Sequence, residues 1–141
     1  MKGRIVKLGA IAVATAIGFA TLASLVQAQG DVIKDRQELM KSQGAAMKAI
    51  NGILEANGAL ADIAPQAAKL EETSGKIADL FPAGSDQGDT KAKPEIWQNP
   101  DDFAAKAKDL HEQAAMLSTA VAGGDMAAVK AQYEKVGGAC G

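Results

Sequence analysis

Apolar residues recur along the chain in the alternating steps of three and four that place side chains on one face of a helix. Ile33, Met40, Met47 and Leu54 repeat every seven residues, with Ile50 between the last two. Three later stretches keep this spacing: Leu60, Ile63, Ala67, Leu70, Ser74, Ile77 and Phe81; Phe103, Ala107, Leu110, Ala114, Leu117 and Val121; and Met126, Val129, Tyr133, Val136 and Cys140. Strand signals are essentially absent, so the pattern predicts four amphipathic helices.

Glycines and polar residues separate these stretches at short turns. Gly52, Gly58 and Asn57 divide the first two helices, and Gly123-Gly124-Asp125 divides the last two. Asp101 is expected to cap the third helix just after Pro100. Short connections join antiparallel neighbours, so the sequence predicts an all-α, antiparallel, left-handed four-helix bundle.

A long connection from Pro82 to Pro100 joins the second and third helices. It is rich in Gly, Asp, Lys and Pro, yet it contains Ile96 and the only tryptophan, Trp97. Apolar side chains in a polar connection tend to dock onto a core or a cofactor. The simplest alternative for Trp97 is that it caps one end of the bundle.

The first 28 residues have the pattern of an export signal. Lys2, Arg4 and Lys7 precede an uncharged stretch from Leu8 to Val26, and Val26-Gln27-Ala28 offers small residues at a cleavage site. We therefore expect a signal peptide over 1–28 and a mature domain over 29–141. The apolar stretch is long enough for an uncleaved membrane anchor as the alternative.

Charge and motifs narrow the function classes. After residue 28 the chain carries 12 Lys and Arg against 17 Asp and Glu, a formal charge of −5, which argues against nucleic acid as a partner. The sequence offers no plausible Ser-His-Asp set, no phosphate-binding Gly-rich loop and no cluster with metal-ligand spacing. We therefore expect no enzyme of the hydrolytic or transfer classes.

Cys140 is the one cysteine of a chain expected to be exported, so it forms no intrachain disulfide. It occupies an inward position of the fourth stretch, and its thiol should point inward if that helix persists to residue 140. Taken alone, it could be a buried small apolar residue. His111, the only histidine, follows the inward Leu110 and is expected to be solvated at the edge or outside of the bundle.

Three segments together resemble the cytochrome c′ family: Arg36-Gln37-Glu38-Leu39-Met40, Lys93-Pro94-Glu95-Ile96-Trp97 and Val136-Gly137-Gly138-Ala139-Cys140. The resemblance spans about Val32 to Gly141 and implies a covalently attached haem c. In that family the last helix carries Cys-x-x-Cys-His, in which two thiols form thioethers to haem and the histidine binds iron. Cys140 matches the first cysteine, and the second cysteine and the histidine are not in the sequence. The sequence is then either a fragment of a longer chain or a truncated product.

Met40 matches the position at which a distal side chain faces the haem iron in that family. On pattern alone it is an ordinary core methionine. Members with methionine there are six-coordinate, low-spin electron carriers, and this sequence is similar to that subgroup. A thioether ligand raises the reduction potential. Met47, one heptad further along, is the competing candidate.

The resemblance also implies haem contacts for Arg36, Gln37, Glu95 and Trp97. Arg36 lies one turn before Met40, where a packing stripe would have an apolar residue, and a charged side chain there requires water or an anion. A haem propionate would satisfy it. A surface salt bridge is the alternative.

Three functions follow from these readings. The first is a periplasmic mono-haem electron carrier that meets redox protein partners, and the family resemblance implies a homodimer formed through the first two helices. The second is a five-coordinate haem protein that binds nitric oxide or carbon monoxide. The third, if the chain ends at Gly141, is a haem-free helical bundle that acts by protein contact.

Overall fold

The computed structural model describes the backbone of residues 19–141 and the side chains from Gly30 onward. The predicted signal over 1–28 therefore lies mainly outside the described residues. Helices occupy most of the described chain: α1 (Phe19–Glu55), α2 (Leu60–Ser74), the one-turn α3 (Glu95–Gln98), α4 (Pro100–Gly123) and α5 (Met126–Cys140), with a 3-10 turn at Ala78–Leu80. The predicted all-α fold is confirmed. Within residues 19–141, no helix has both the length and the apolarity needed to cross a membrane.

The four long helices share one apolar core. Its best-buried large side chains come from every one of them and are Ile50, Ile63, Leu117, Val129 and Val136. α1 packs against α2, α2 against α4, and α4 against α5. α1 and α5 are in much less contact than these pairs, and a cleft lies between them.

The second short turn lies where the sequence predicts it, and the first lies at Asn57 and Gly58 but not at Gly52. α1 continues through Gly52, and the chain reverses at Asn57, which adopts a positive φ of 48°. Gly124 adopts a φ of 80° at the end of α4, a conformation that favours glycine. Asp125 then caps α5, because its side chain accepts hydrogen bonds from the backbone N–H groups of Ala127 and Ala128.

The start of α4 differs from the prediction. α4 begins at Pro100, and the residue at its N-cap position is Asn99, so the expected cap at Asp101 is wrong. Proline suits this first position because it has no N–H to satisfy and its φ is already helical. Asp101 and Asp102 lie in the first turn, where their negative charges favour the positive end of the helix dipole.

The second apolar stripe does not form one continuous helix. α2 ends at Ser74, so Ile77 and Phe81 lie beyond it, around the 3-10 turn. The Thr73 and Ser74 hydroxyls donate to the carbonyl oxygens of Lys69 and Glu71. Such bonds compete with the helical ladder and favour an end at this point.

His111 also differs from its expected solvated state. It is half-buried against the end of α2, with its Nδ1 3.0 Å from the Glu71 carbonyl oxygen and 3.2 Å from the Ser74 hydroxyl. The side chain therefore ties α4 to α2. Its position at the edge of the bundle agrees with the prediction.

Candidate functional site

A cleft of about 640 Å³ opens between α1, α4 and α5 at the end of the bundle where α5 terminates. We call it the main cleft. Its lining includes Met40, Gln43 and Met47 from α1, Phe103, Ala107 and Leu110 from α4, and Ala139 and Cys140 from α5. Ligand sites in proteins are typically about 300–1,000 Å³ and mostly apolar, and this cleft has both properties.

Glycines in the lining leave parts of the wall of the main cleft without side chains. Gly44 on α1 has no neighbouring atom within 4 Å of the point where a Cβ would lie. Gly137 on α5 has only the Met47 methyl group, at 3.9 Å. Backbone without side chains on two facing helices allows a planar group to approach both of them closely.

Cys140 lies on the α5 side of the main cleft. The helix persists to this residue, as predicted, but Cys140 is exposed at the edge of the cleft and is not buried in the core. The thiol is free and the residue is exposed, yet the surrounding protein removes enough water to raise the pKa of the thiol above its ordinary value. Within the described part of the chain, no three His, Cys, Asp or Glu residues cluster as a metal site.

Met40 and Met47 both line the main cleft from α1. Met40 is 39% exposed, whereas Met47 is half-buried against the core. The Met47 carbonyl oxygen accepts a 3.0 Å hydrogen bond from the Tyr133 hydroxyl, which holds α5 against α1 at this level. Met40 is therefore the more accessible of the two thioethers.

Gln43 is a cleft residue that our sequence reasoning missed. It is 6% exposed, and its Nε2 has no hydrogen-bond partner. The signal was present, because residue 43 continues the seam from Met40 to Met47 in steps of three and four and is its polar member. A polar side chain at such a position needs a partner or marks a site.

A second cleft, of about 530 Å³, adjoins the first at Met40 and Phe81. We call it the loop cleft. Its other lining residues are Arg36 and Gln37 from α1 and Asp89, Thr90, Lys91, Ala92 and Ile96 from the connection between α2 and α4. The two clefts together bring Arg36, Gln37, Met40 and Cys140 to one face of the bundle.

Arg36 is only 3% exposed. Its guanidinium donates to the Ser85 hydroxyl at 3.0 Å, to the Ser85 carbonyl oxygen at 2.8 Å and to the Thr90 hydroxyl at 2.6 Å. All three acceptors are neutral and Arg36 is buried, so the alternative of a surface salt bridge is wrong. Burial lowers the pKa of the guanidinium, which still carries its positive charge at neutral pH.

Aromatic side chains cover the guanidinium of Arg36. Its central carbon lies 4.9 Å from the centre of the Phe81 ring and 5.6 Å from that of Trp97. Phe81 also packs against Phe103, with 4.7 Å between ring centres. The Trp97 indole N–H donates to the Pro82 carbonyl oxygen at 2.9 Å, which fixes the connection at its start.

The remaining two candidates lie at different distances from the clefts. The Gln37 side chain is exposed at the rim of the loop cleft and donates to the Asp89 carbonyl oxygen at 2.8 Å. Glu95 is exposed and lines neither cleft; it borders a smaller groove, of about 360 Å³, with Lys91 and Lys106. The structure therefore does not bring Glu95 together with Met40 and Cys140.

A family model described as Cytochrome C′ matches residues 31–141, which include the whole side-chain lining of both clefts. The chain belongs to the cytochrome c′ family. Cytochrome c′ of Rhodopseudomonas palustris is 37% identical over 134 residues, covering 91% of this chain and 89% of that protein. Cytochrome c-554 of Cereibacter sphaeroides is 44% identical over 66 residues, and this chain spans about half of that relative, 49% of its length.

The fold of cytochrome c′ agrees with the architecture described above. The crystal structure of cytochrome c′ from Thermochromatium tepidum matches with a TM-score of 0.76 and 29% identity, covering 79% of this chain and 89% of that chain. The chain is therefore a four-helix bundle of this family. Proteins of the family bind covalent haem c.

The main cleft suits a haem. Its apolar walls, its glycines on two facing helices and the single thiol at its edge match a planar, mostly apolar group that is attached through sulfur. Gln43, whose amide nitrogen has no hydrogen-bond partner, is a polar residue of the same lining. Cysteine provides the thioether of a haem c, and thioether sulfur is a known axial ligand of haem iron.

Proposed function

We propose that this member of the cytochrome c′ family is an exported electron carrier whose haem lies in the main cleft and is attached to Cys140. The single observation that carries the proposal is that Cys140 of α5 and Met40 of α1 line the same apolar cleft from facing helices. Haem supplies one-electron oxidation and reduction at its iron. The protein supplies attachment, orientation and a surrounding of low polarity.

Met40 is proposed as the side chain that would bind the haem iron from the α1 side. Its thioether is accessible from both clefts, and it lies on the wall that faces α5. A thioether is neutral and binds ferrous iron better than ferric iron, so it raises the reduction potential. Met47 is the weaker candidate, because its side chain is partly packed into the core.

Arg36 is proposed to attract a haem propionate. The guanidinium is buried, its protein acceptors are neutral, and the loop cleft that it lines adjoins the main cleft. A carboxylate is the group that best compensates a buried cation. Gln37 at the rim is proposed as a further polar contact, and Trp97 acts through Arg36 by covering its guanidinium.

The apolar walls have an electrostatic role in this proposal. Leu110, Ala107 and Phe103 exclude water from the inner side of the cleft. Low polarity disfavours the oxidation state in which the haem carries more charge. It also reduces the solvent reorganisation that accompanies electron transfer. These walls therefore tune the potential together with Met40.

The place of action and the partners are part of the proposal. The signal-like first 28 residues support export to the periplasm, and the formal charge of −5 on the remainder suits redox proteins with basic docking surfaces. A homodimer is proposed from the family relation, since one related cytochrome c′ is described as having ligand-controlled dimer dissociation.

The optical spectrum of the ferric haem-loaded protein tests the proposed ligand set. A low-spin spectrum is expected, because a strong-field thioether from Met40 would bind the iron together with the histidine of the family motif, which this sequence does not include. A high-spin ferric spectrum would exclude methionine ligation and favour the alternative, a five-coordinate protein that binds nitric oxide or carbon monoxide.

A further inference from the structure

Gln43 has a buried amide that the fold does not satisfy. The residue is 94% shielded from solvent, and its Nε2 finds no acceptor in the protein. Leaving a buried donor unpaired costs stability, so a fold keeps such a group only where something compensates for it. Leucine would fill the same space at the seam without that cost.

Gln43 contributes to the wall of the main cleft. Gln43 lines the main cleft between Met40 and Met47, which are one helical turn before it and one turn after it. The acceptor is therefore expected in the cleft itself.

The distance between Gln43 and Arg36 along α1 indicates which part of a haem could accept the hydrogen bond. Seven residues separate Arg36 from Gln43, which is about 10 Å along a helix at 1.5 Å per residue. The carboxylates of a haem lie together at one edge, and Arg36 marks that edge in the proposed arrangement. Gln43 would then contact a part of the group remote from that edge, where the hydrogen-bond acceptor available would be an atom bound to the iron.

We infer that Gln43 would donate a hydrogen bond through Nε2 to the atom that binds the haem iron on the α1 side, and that it is a positioning residue for that ligand. The inference rests on the proposed function. In either case the acceptor is a neutral atom about one helical turn from Gln43. It is either the Met40 sulfur or an atom of a small diatomic molecule bound in place of that sulfur. Sulfur is a weak acceptor, and its surroundings in the apolar cleft strengthen such a bond.

Two arms of one experiment on haem-loaded protein distinguish these sources. The first compares the reduction potential of the unsubstituted protein with that of Gln43→Leu, without added gas. A donor to the Met40 sulfur withdraws electron density from it and disfavours ferric iron, so its removal is expected to lower the potential.

The second arm places Gln43→Leu in the Met40→Leu protein and adds carbon monoxide to the ferrous form. Without the donor, the carbon–oxygen stretching frequency is expected to rise, because less electron density is drawn onto the bound molecule. Dissociation of carbon monoxide is expected to become about three- to tenfold faster, the effect of one lost neutral hydrogen bond.

Gln66→Leu is the matched control, since it makes the same change on α2 and its side chain lines neither cleft. Gln43→Asn, which retains the amide on a shorter side chain, is expected to shift both readouts in the same direction as leucine and provides a second variant. A shift at residue 43 in either arm, without one at residue 66, supports the inference and identifies the acceptor.

Unchanged potential and unchanged carbon monoxide binding in fully loaded protein would overturn the role of Gln43 and leave the proposed function standing. Failure of the unsubstituted protein to acquire haem would instead overturn the proposed function, and this inference with it. The haem content of each preparation separates the two failures.

Discussion

Replacing Met40 with leucine is expected to convert the ferric haem-loaded protein from low spin to high spin and to lower its reduction potential by on the order of 100 mV, a modest part of the roughly 0.8 V over which axial ligands set haem potentials. Met40 lines both clefts and is 39% exposed, so its thioether has access to a group bound between α1 and α5. Leucine retains the apolar volume and removes the sulfur. Optical spectra and a redox titration measure the two effects.

Met47→Leu is the matched control for this prediction. It removes a thioether from the same helix and the same cleft, but Met47 packs partly into the core and supports α5 through its backbone. Its spectrum is expected to stay low-spin. The assignment of Met40 would be wrong if Met47→Leu became high-spin while Met40→Leu did not.

Replacing Arg36 with alanine is expected to lower the free energy of unfolding by about 3 kcal/mol and the Tm by roughly 10 °C. The substitution leaves three acceptors, the Ser85 hydroxyl and carbonyl and the Thr90 hydroxyl, without their donor. It also removes the cation that lies over the Phe81 and Trp97 rings. Because these contacts join α1 to a connection about 50 residues away, their loss should free the connection as well.

Lys41→Ala controls for the removal of a positive charge from α1, because Lys41 is exposed on the same helix. We expect it to change stability by less than about 0.5 kcal/mol. Arg36→Lys should recover only part of the loss, since one ammonium cannot reproduce the planar fork of the guanidinium. Equal Tm values for Arg36→Ala and Lys41→Ala, measured by thermal unfolding, would contradict a structural role for the buried guanidinium.

The bundle could be predicted from the sequence because its determinants are local. Stripes at three- and four-residue spacing define the buried faces, and the turn at Gly124 and Asp125 has the residues that helix ends prefer. The same reasoning from local spacing failed where other contacts determine the end of a helix. The stripe through Ile77 and Phe81 predicted a longer second helix, but hydroxyl groups at Thr73 and Ser74 help to end α2.

The candidate site was partly accessible to sequence reasoning. Arg36 was recognised because a charge interrupts an apolar stripe, yet its partners Ser85 and Thr90 lie in a connection whose path no local pattern specifies. Glu95 was expected in the pocket from family resemblance alone, and the one-turn α3 presents it outside both clefts. Gln43 was missed although the seam pattern contained it.

The intact mass of the exported protein under denaturing conditions tests the central claim most directly, because covalent haem at Cys140 stays with the polypeptide and noncovalently bound haem is lost. We predict the mass of the polypeptide that begins after the expected cleavage at Ala28, increased by one haem, and loss or weakening of that attachment in Cys140→Ala. A mass equal to that of the bare polypeptide would contradict the account of the main cleft as a haem c site.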